Sequence, residues 1–420
     1  MAGPERIVIV GASAAGLAVA EALRDQGFDR AITVIGAETR AFYDRPPLSK
    51  AGGVTTGDFE RLSLVSPSDL ERLDLDLRLG VAAVGLDVAN STVTLADGGM
   101  VGWDALVIAT GVGARRLPGG GLTLRDFDDA VRVTTALETA HDVLVIGSGV
   151  LGCELAALAV ARGARVRMID PAQAPMIDKV GPLVARRLAA LHAANGVEMQ
   201  FGVGVDRVLT ADDGRATGVR LMDGRILKAD LVLVAAGGVP ATRWLEGSGV
   251  PLGNGVVCDA FCRAMPCVYA AGDVANWFNP RYGRRMRVEH RMNATEQGMA
   301  VASSLMGAGE EFSPIPFFWT DQYDVKIQVH GLIGREARTE VIAGDPEENA
   351  FVIGYRNARG GLEGILGWNM PREVRKARAL IPERLEDVGG LLHGGDESKR
   401  LPRRWRVNRR RLAVSGFRQV

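Results

Sequence analysis

The sequence predicts an α/β protein: two doubly wound, Rossmann-like domains with parallel sheets, followed by a smaller C-terminal α+β domain. Three observations predict it. In RIVIVGASAAGLAVAEAL (6–23) an apolar run meets a glycine turn and then a helical pattern. The same grammar restarts in DVLVIGSGVLGCELAALAV (142–160). Beyond about residue 315 the pattern becomes alternating, as in KIQVHGLIG and AFVIGYRN, which is the period of half-buried antiparallel strands. At 420 residues the chain is long enough for two or three domains, each with its own core.

Composition narrows the class. Hydrophobic residues make up 47% and charged residues 24%, and fifty bases balance fifty acids, so nothing global points to nucleic acid or a membrane surface. Four cysteines in a chain of this length do not form a disulfide framework, and a reducing, cytoplasmic setting is expected. The apolar stretches 7–23 and 143–160 resemble a signal peptide core and a membrane span. Their regularly spaced glycines, with Glu21 and Glu154 in or ending the helical part, read instead as buried strand–turn–helix units.

The elements come in order along the chain. Strand RIVIVG leads through the glycine turn to helix LAVAEALRDQG and strand AITVIG, ending at Glu38. A polar segment (39–70) precedes short strand-like runs VTLADGG and DALVIATG, and ADLVLVAAGGVP (229–240) closes the second unit. CVYAAGDVA (267–275) is a strand stopped by Gly-Asp. RMNATEQGMAVASSLMG (291–307) has helical spacing, with Asn293 as the expected N-cap and Gly307 as the stop. The end, DESKRLPRRWRVNRRRLAVSGFRQV, sets nine bases against two acids and reads as a solvated tail.

The chemistry concentrates at the two turns. Gly11, Ser13 and Gly16 occupy the G-x-G-x-x-G positions, with Ala14 and Ala15 between the last two. The first glycine makes the turn, the third lets helix and strand approach, and a small middle residue leaves room for a pyrophosphate at the helix N-terminus. Glu38, ending the next strand, is placed to accept a ribose hydroxyl. In the second unit Gly147, Gly149 and Gly152 form the stricter motif, enclosing Val150 and Leu151, with Asp170 ending the following strand. An acid there bonds a ribose 2′-OH and repels a 2′-phosphate, which favours NADH over NADPH. Cys258, Cys262 and Cys267 lack the spacing of a zinc site, Cys153 reads as a packing residue, and the five histidines are scattered. No metal site is expected.

With ATG (109–111) and AAGD (270–273), these residues make the chain resemble the two-dinucleotide-binding flavoproteins of glutathione-reductase-like fold. Within them it is similar to the FAD-dependent, NADH-using ferredoxin reductases of the putidaredoxin reductase and biphenyl dioxygenase reductase type. The matching stretches run over residues 5–385 and include YDRPPLSK, LRDFDDA, VEHRMNATEQG, FFWTDQYD and WNMPREVRKARALI. The resemblance implies an FAD-binding domain from 1–115 and 245–314, an NAD-binding domain at 116–244, a C-terminal domain at 315–395 and a basic tail at 396–420.

The resemblance also implies roles for single residues. Asp273 bonds the ribityl chain and Gly272 lies near the pyrophosphate. Thr110, Gly111 and Arg125 line the flavin, and Ala83 and Arg291 belong to the same site. Arg45 and Lys50 face the isoalloxazine or the phosphates. Gly237 joins the NAD site. Glu154 stands where nicotinamide approaches the flavin, its alternative being an exposed or capping helix residue. Trp319 packs near the ring, or else is a core residue of the third domain. Lys50, Glu154 and Trp319 are thus the expected catalytic residues. The segment 42–50, where relatives of other kinds carry redox cysteines, has none, so electrons are expected to leave to a [2Fe–2S] ferredoxin supplying a cytochrome P450 or ring-hydroxylating oxygenase. Arg281, Arg284, Arg285, Arg287 and Arg291 are the expected basic patch for it. A monomer or homodimer without membrane or nucleic-acid partners is expected. The alternatives are an NADH oxidase or diaphorase, and an apoptosis-inducing-factor-like flavoprotein whose basic tail binds nucleic acid. The pattern departs from the family at Ala37, Ala241, Arg291 and the tail.

Overall fold

The structure, a computed structural model, describes residues 3–50, 52–334 and 336–382. The expected tail at 396–420 and the last residues assigned to the third domain lie outside the described residues.

Strand Arg6–Val10 carries four consecutive buried side chains. Only a strand covered on both faces has use for such a run. It lies inside a six-stranded sheet, paired in parallel with Ala31–Gly36 on one side and Ala105–Ile108 on the other. Strand Asp76–Leu79 extends one edge, and Val268–Ala270 with Arg263–Met265 the other. The helix after the first turn, Ala14–Asp25, packs on helix Arg291–Leu305. Their close approach rests on Gly298, where a Cβ would lie 2.7 Å from the Ala15 carbonyl oxygen. The second helix starts three residues earlier than the sequence suggests. His290 is its N-cap, and Asn293 sits inside the first turn, buried, bonding Gln297 rather than capping.

A second sheet is wholly parallel, in the order Glu198–Phe201, Arg165–Asp170, Asp142–Ile146, Leu231–Val234 and Leu122–Thr123. Helix Val150–Ala161 follows its central strand and is buried over most of its length, Glu154 included. The two parallel sheets are joined by an antiparallel pair of crossing strands, Val112–Ala114 with Gly238–Pro240.

The third sheet is antiparallel, in the order Phe317–Gln322, Val325–Gly331, Leu362–Trp368, Ala350–Arg356 and Arg338–Asp345. Because side chains alternate, this sheet has two distinct faces. Val325, Ile327, Val329, Leu366 and Trp368 join the core of the second parallel sheet. Val352, Ile365 and Leu362 pack instead with Val374 and Ala377 of helix Pro371–Ala377. Phe318, Thr320 and Gln322 therefore look toward the second unit, while Phe317 and Trp319 lie on the other face.

Candidate active site

A cavity of about 1100 Å³ is walled by residues of all three sheets and of both glycine turns. At the first turn Gly11 has φ of +130°, and a Cβ there would lie 2.1 Å from the Ala109 carbonyl oxygen. At Gly16 it would lie 2.0 Å from the Gly11 carbonyl oxygen. Neither position can carry a side chain. Ser13 is the N-cap of helix Ala14–Asp25 but makes no side-chain cap bond, so the first-turn amides keep their hydrogen-bonding capacity. Ser13, Ala14 and Ala15 line the cavity, and Gly16 lies behind it.

A charged network runs along this wall. Arg45 donates to Glu38 at 2.5 Å and to the Arg125 carbonyl at 2.6 Å, and the Tyr43 hydroxyl donates to the other Glu38 oxygen. Arg125 in turn donates to Asp273 at 3.2 Å. Burial raises the Asp273 pKa, and Arg125 opposes the shift. The Gly272 amide is already taken by Gln297 at 2.9 Å, and the Thr110 hydroxyl by the Ala241 carbonyl at 2.9 Å. Both donors are thus engaged within the protein, while both residues line the cavity. Ala83, Gly111 and Arg291 also reach the cavity, with Arg291 held by Asp44 at 2.8 Å.

The second turn repeats the steric logic. Cβ atoms at Gly147 and Gly152 would fall 2.3 Å from the Ala235 carbonyl oxygen and 2.0 Å from that of Gly147. Gly149 caps helix Val150–Ala161 without a side chain. Gly149, Val150, Leu151 and Gly237 line the cavity; Gly147, Gly152 and Asp170 do not. Asp170 braces the turn from behind, accepting from the Ser148 amide at 2.6 Å, the Ser148 hydroxyl at 2.9 Å and the Ala172 amide at 2.7 Å.

Between the turns stands Glu154, 6% exposed. Lys50 donates to it at 2.5 Å, Thr320 at 2.7 Å, and Ser49 donates to its second oxygen. The expected alternative for Glu154, an exposed or capping residue, is thereby excluded. Lys50 lines the cavity with its ammonium paired to this carboxylate. PPLS, which forms a 3₁₀ turn at Pro46–Ser49, sets both donors in place. Trp319 lines the cavity and stacks on Phe317 at 5.9 Å, and Phe317 stacks on His330 at 4.5 Å.

Ser49, Thr320, His290 and Trp244 went unremarked in the sequence. The first two lie inside the distinctive strings YDRPPLSK and FFWTDQYD, and strand alternation alone sets Thr320 opposite to Trp319. His290 Nδ1 and Trp244 Nε1 are buried without a hydrogen-bond partner among the described residues, and both residues line the cavity. Burial lowers the His290 pKa to about 3, so its ring is neutral at physiological pH.

The arginine cluster is not the uniform patch expected. Arg281 is tied to the Ser313 and Pro382 carbonyls, and Arg287 to Asp273 O, Asn254 and Glu289. Arg285 bonds the Cys258 carbonyl while staying exposed. Arg284 is exposed at the cavity mouth. All four cysteines are free; Cys153, Cys258 and Cys262 are buried, with thiol pKa values raised by burial. Among the described residues no cluster of three or more His, Cys, Asp or Glu side chains is placed to hold a metal ion, and no helix is long and apolar enough to cross a membrane.

Residues 5–298 match the pyridine nucleotide-disulphide oxidoreductase family, and residues 317–392 match the reductase C-terminal domain. The chain belongs to that family. The oxidoreductase is 32% identical to rhodocoxin reductase of Rhodococcus erythropolis over 89% of each chain. It is 34% identical to the ferredoxin–NAD(+) reductase component of the anthranilate 1,2-dioxygenase system of Burkholderia cepacia, over 89% of this chain and 93% of that one. Among solved structures it superposes on putidaredoxin reductase, in its covalent complex with putidaredoxin, with a TM-score of 0.84 at 28% identity, covering 92% of this chain and 98% of that chain. Such oxidoreductases use FAD and NADH, and this cavity suits them. Two uncapped helix N-termini, glycine turns that exclude side chains, and two orphaned buried nitrogens are what a pair of dinucleotides would satisfy.

Proposed function

We propose that this oxidoreductase passes electrons from NADH through FAD to a [2Fe–2S] ferredoxin that supplies a cytochrome P450 or a ring-hydroxylating oxygenase. One observation carries the reading. Both uncapped turns open on a single cavity beside the Lys50–Glu154 pair, and no cysteine stands there to take electrons. FAD, when bound, would supply the redox chemistry, two-electron acceptance from NADH and one-electron release to a carrier. The protein's part is binding, orientation and charge.

On this reading the turn Gly11–Gly16 and the first-turn amides of helix Ala14–Asp25 hold the FAD pyrophosphate. Glu38, steadied by Arg45 and Tyr43, accepts a ribose hydroxyl, while Asp273 and Arg125 hold the ribityl side. Arg291 and Trp319 border the ring, and the N-terminal end of helix Arg291–Leu305 supplies a positive dipole for reduced flavin. The turn Gly147–Gly152 holds NADH, with Gly237 beside it and Asp170 at the adenosine ribose. Glu154, held in place by Lys50, Ser49 and Thr320, orients the nicotinamide. Rhodocoxin reductase and the dioxygenase component support the choice of acceptor by their names.

The test uses purified protein, which should be yellow and be bleached by NADH under anaerobic conditions. Cytochrome c reduction should depend on adding a [2Fe–2S] ferredoxin from a P450 or dioxygenase system. Equal rates with and without ferredoxin would overturn the choice of acceptor; failure of NADH to bleach the protein would overturn the donor.

A further inference from the structure

His192 is a buried ionisable residue with no part in binding or orienting either dinucleotide. It lies on helix Ile177–Ala194 of the second unit and is fully buried. Its Nε2 is 3.0 Å from Gln322 Oε1 and its Nδ1 is 2.9 Å from the Tyr323 hydroxyl. Gln322 Nε2 donates at 3.2 Å to the Thr320 hydroxyl, which donates at 2.7 Å to Glu154. Gln322 and Thr320 are also fully buried, so water does not stand in for any missing partner.

The direction of every proton along this line is fixed by elementary bonding. A carboxamide oxygen only accepts, so His192 Nε2 carries the hydrogen. A neutral imidazole then has Nδ1 as its acceptor, and the Tyr323 hydroxyl donates to it. The Gln322 amide group donates to Thr320, which spends its single proton on Glu154. Five groups thus point one way, from Tyr323 at the hairpin turn to the carboxylate at the cavity. Flipping the Gln322 amide would be met at His192 by the other tautomer, with Nδ1–H donating to Tyr323. It would, however, leave the single Thr320 proton between two acceptors, the Gln322 oxygen and the Glu154 carboxylate. The Thr320–Glu154 bond therefore sets the direction of the whole line. Burial keeps His192 neutral, lowering its pKa from 6.5 to about 4. The backbone bears a cost for this arrangement. Tyr323 is held at φ of +56°, a left-handed conformation unfavourable for a bulky residue, with its ring edge-on to His192 at 5.3 Å.

We propose that Thr320, Gln322, His192 and Tyr323 form a unidirectional hydrogen-bond chain that holds the Glu154 carboxylate in position for nicotinamide, making all four positioning residues for hydride transfer. The chain links helix Ile177–Ala194 and strand Phe317–Gln322 to the cavity wall, so the third domain takes part in reduction by NADH. This deepens the proposed function and rests on its assignment of Glu154.

The experiment is anaerobic stopped-flow reduction of the FAD-loaded protein across a range of NADH concentrations, for wild type and Glu154→Gln, Thr320→Val, Thr320→Ser and Gln322→Met. A lost hydrogen bond of ordinary strength predicts that Thr320→Val and Gln322→Met each lower the limiting rate about fivefold. Half-saturating NADH should move less than about twofold, by the same principle that a positioning loss acts on the limiting rate. Thr320→Ser, which keeps the hydroxyl, should recover most of the loss. Gln322→Met touches neither Glu154 nor the cavity, so its effect is the decisive one; FAD content and thermal midpoint, measured alongside, report any variant that fails to fold. If Glu154→Gln leaves the limiting rate unchanged, the assignment of Glu154 itself falls. If Glu154→Gln is slow while Gln322→Met matches wild type, the chain alone is overturned.

Discussion

His192 titrates far from its ordinary value, and the consequence for stability has a definite sign. Folded, its pKa is about 4 against 6.5 ordinarily. The unfolded chain therefore binds the proton first, and stability falls as pH drops from 6.5 through 4, by about 3 kcal/mol for this one group. His330, stacked on Phe317 and lowered to about 4 by burial, acts in the same direction. Urea unfolding at pH 7 and pH 5 should show a smaller loss between the two for His192→Gln than for wild type, even though the variant starts less stable. Asp170 is the second residue to test. Its carboxylate holds the Ser148 and Ala172 amides, so it braces the turn whether or not it also takes the proposed ribose hydroxyl. Asp170→Ala should reduce the ratio of kcat/KM for NADH over NADPH about tenfold, and steady-state kinetics with both nucleotides would read it. Asp170 and Glu154 were legible in the sequence because an acid at a strand end and a glutamate in an apolar helix both stand out. Thr320 was not, since a threonine in a strand is what β propensity alone would place there.

At the level of elements, the glycines decide how close two helices come. Gly298 faces the Ala15 carbonyl and the Ala18 methyl group, each within 3 Å of where a Cβ would sit. Gly298→Ala should push helix Arg291–Leu305 off helix Ala14–Asp25 and cost about 1–3 kcal/mol. Its FAD should dissociate more readily on dilution, followed by the return of flavin fluorescence. The sequence showed both helices by their periodicity, but not that they touch, because the long stretch of chain between them carries no local trace of the contact. The same limit explains the N-cap. Asn293 has the right chemistry for a cap, yet burial against Gln297 drew it inside the first turn and left His290 at the end. The antiparallel third sheet was legible from alternation, which also fixes that Trp319 and Thr320 face opposite ways.

For the whole molecule, the cavity exists only where three parts of the chain converge. Glu154 bonds Lys50 across 104 positions and Thr320 across 166, and no pattern within either segment announces the other. The glycine turns revealed two nucleotide-binding units; the polar junction between them and the third sheet emerges only in the folded chain. The charged surface was also only half legible, because Arg281 and Arg287 look free in the sequence and are engaged by carbonyls and carboxylates in the fold. Arg284 remains exposed at the mouth. Arg284→Glu should raise KM for a [2Fe–2S] ferredoxin several-fold at low salt and flatten its dependence on ionic strength, leaving NADH-driven bleaching intact.

The burial of three thiols, with only Cys267 exposed, has a practical meaning. Thiolates are what peroxide attacks first, so a thiol kept protonated and enclosed resists oxidation. Here the sulfur closest to the second turn, Cys153, is fully enclosed and its pKa is raised by burial, so it has little thiolate to offer. Iodoacetamide should label Cys267 alone and leave NADH-dependent turnover untouched, as mass spectrometry with activity assays would show. Three of the four sulfurs are thereby shielded from oxidants that meet the surface.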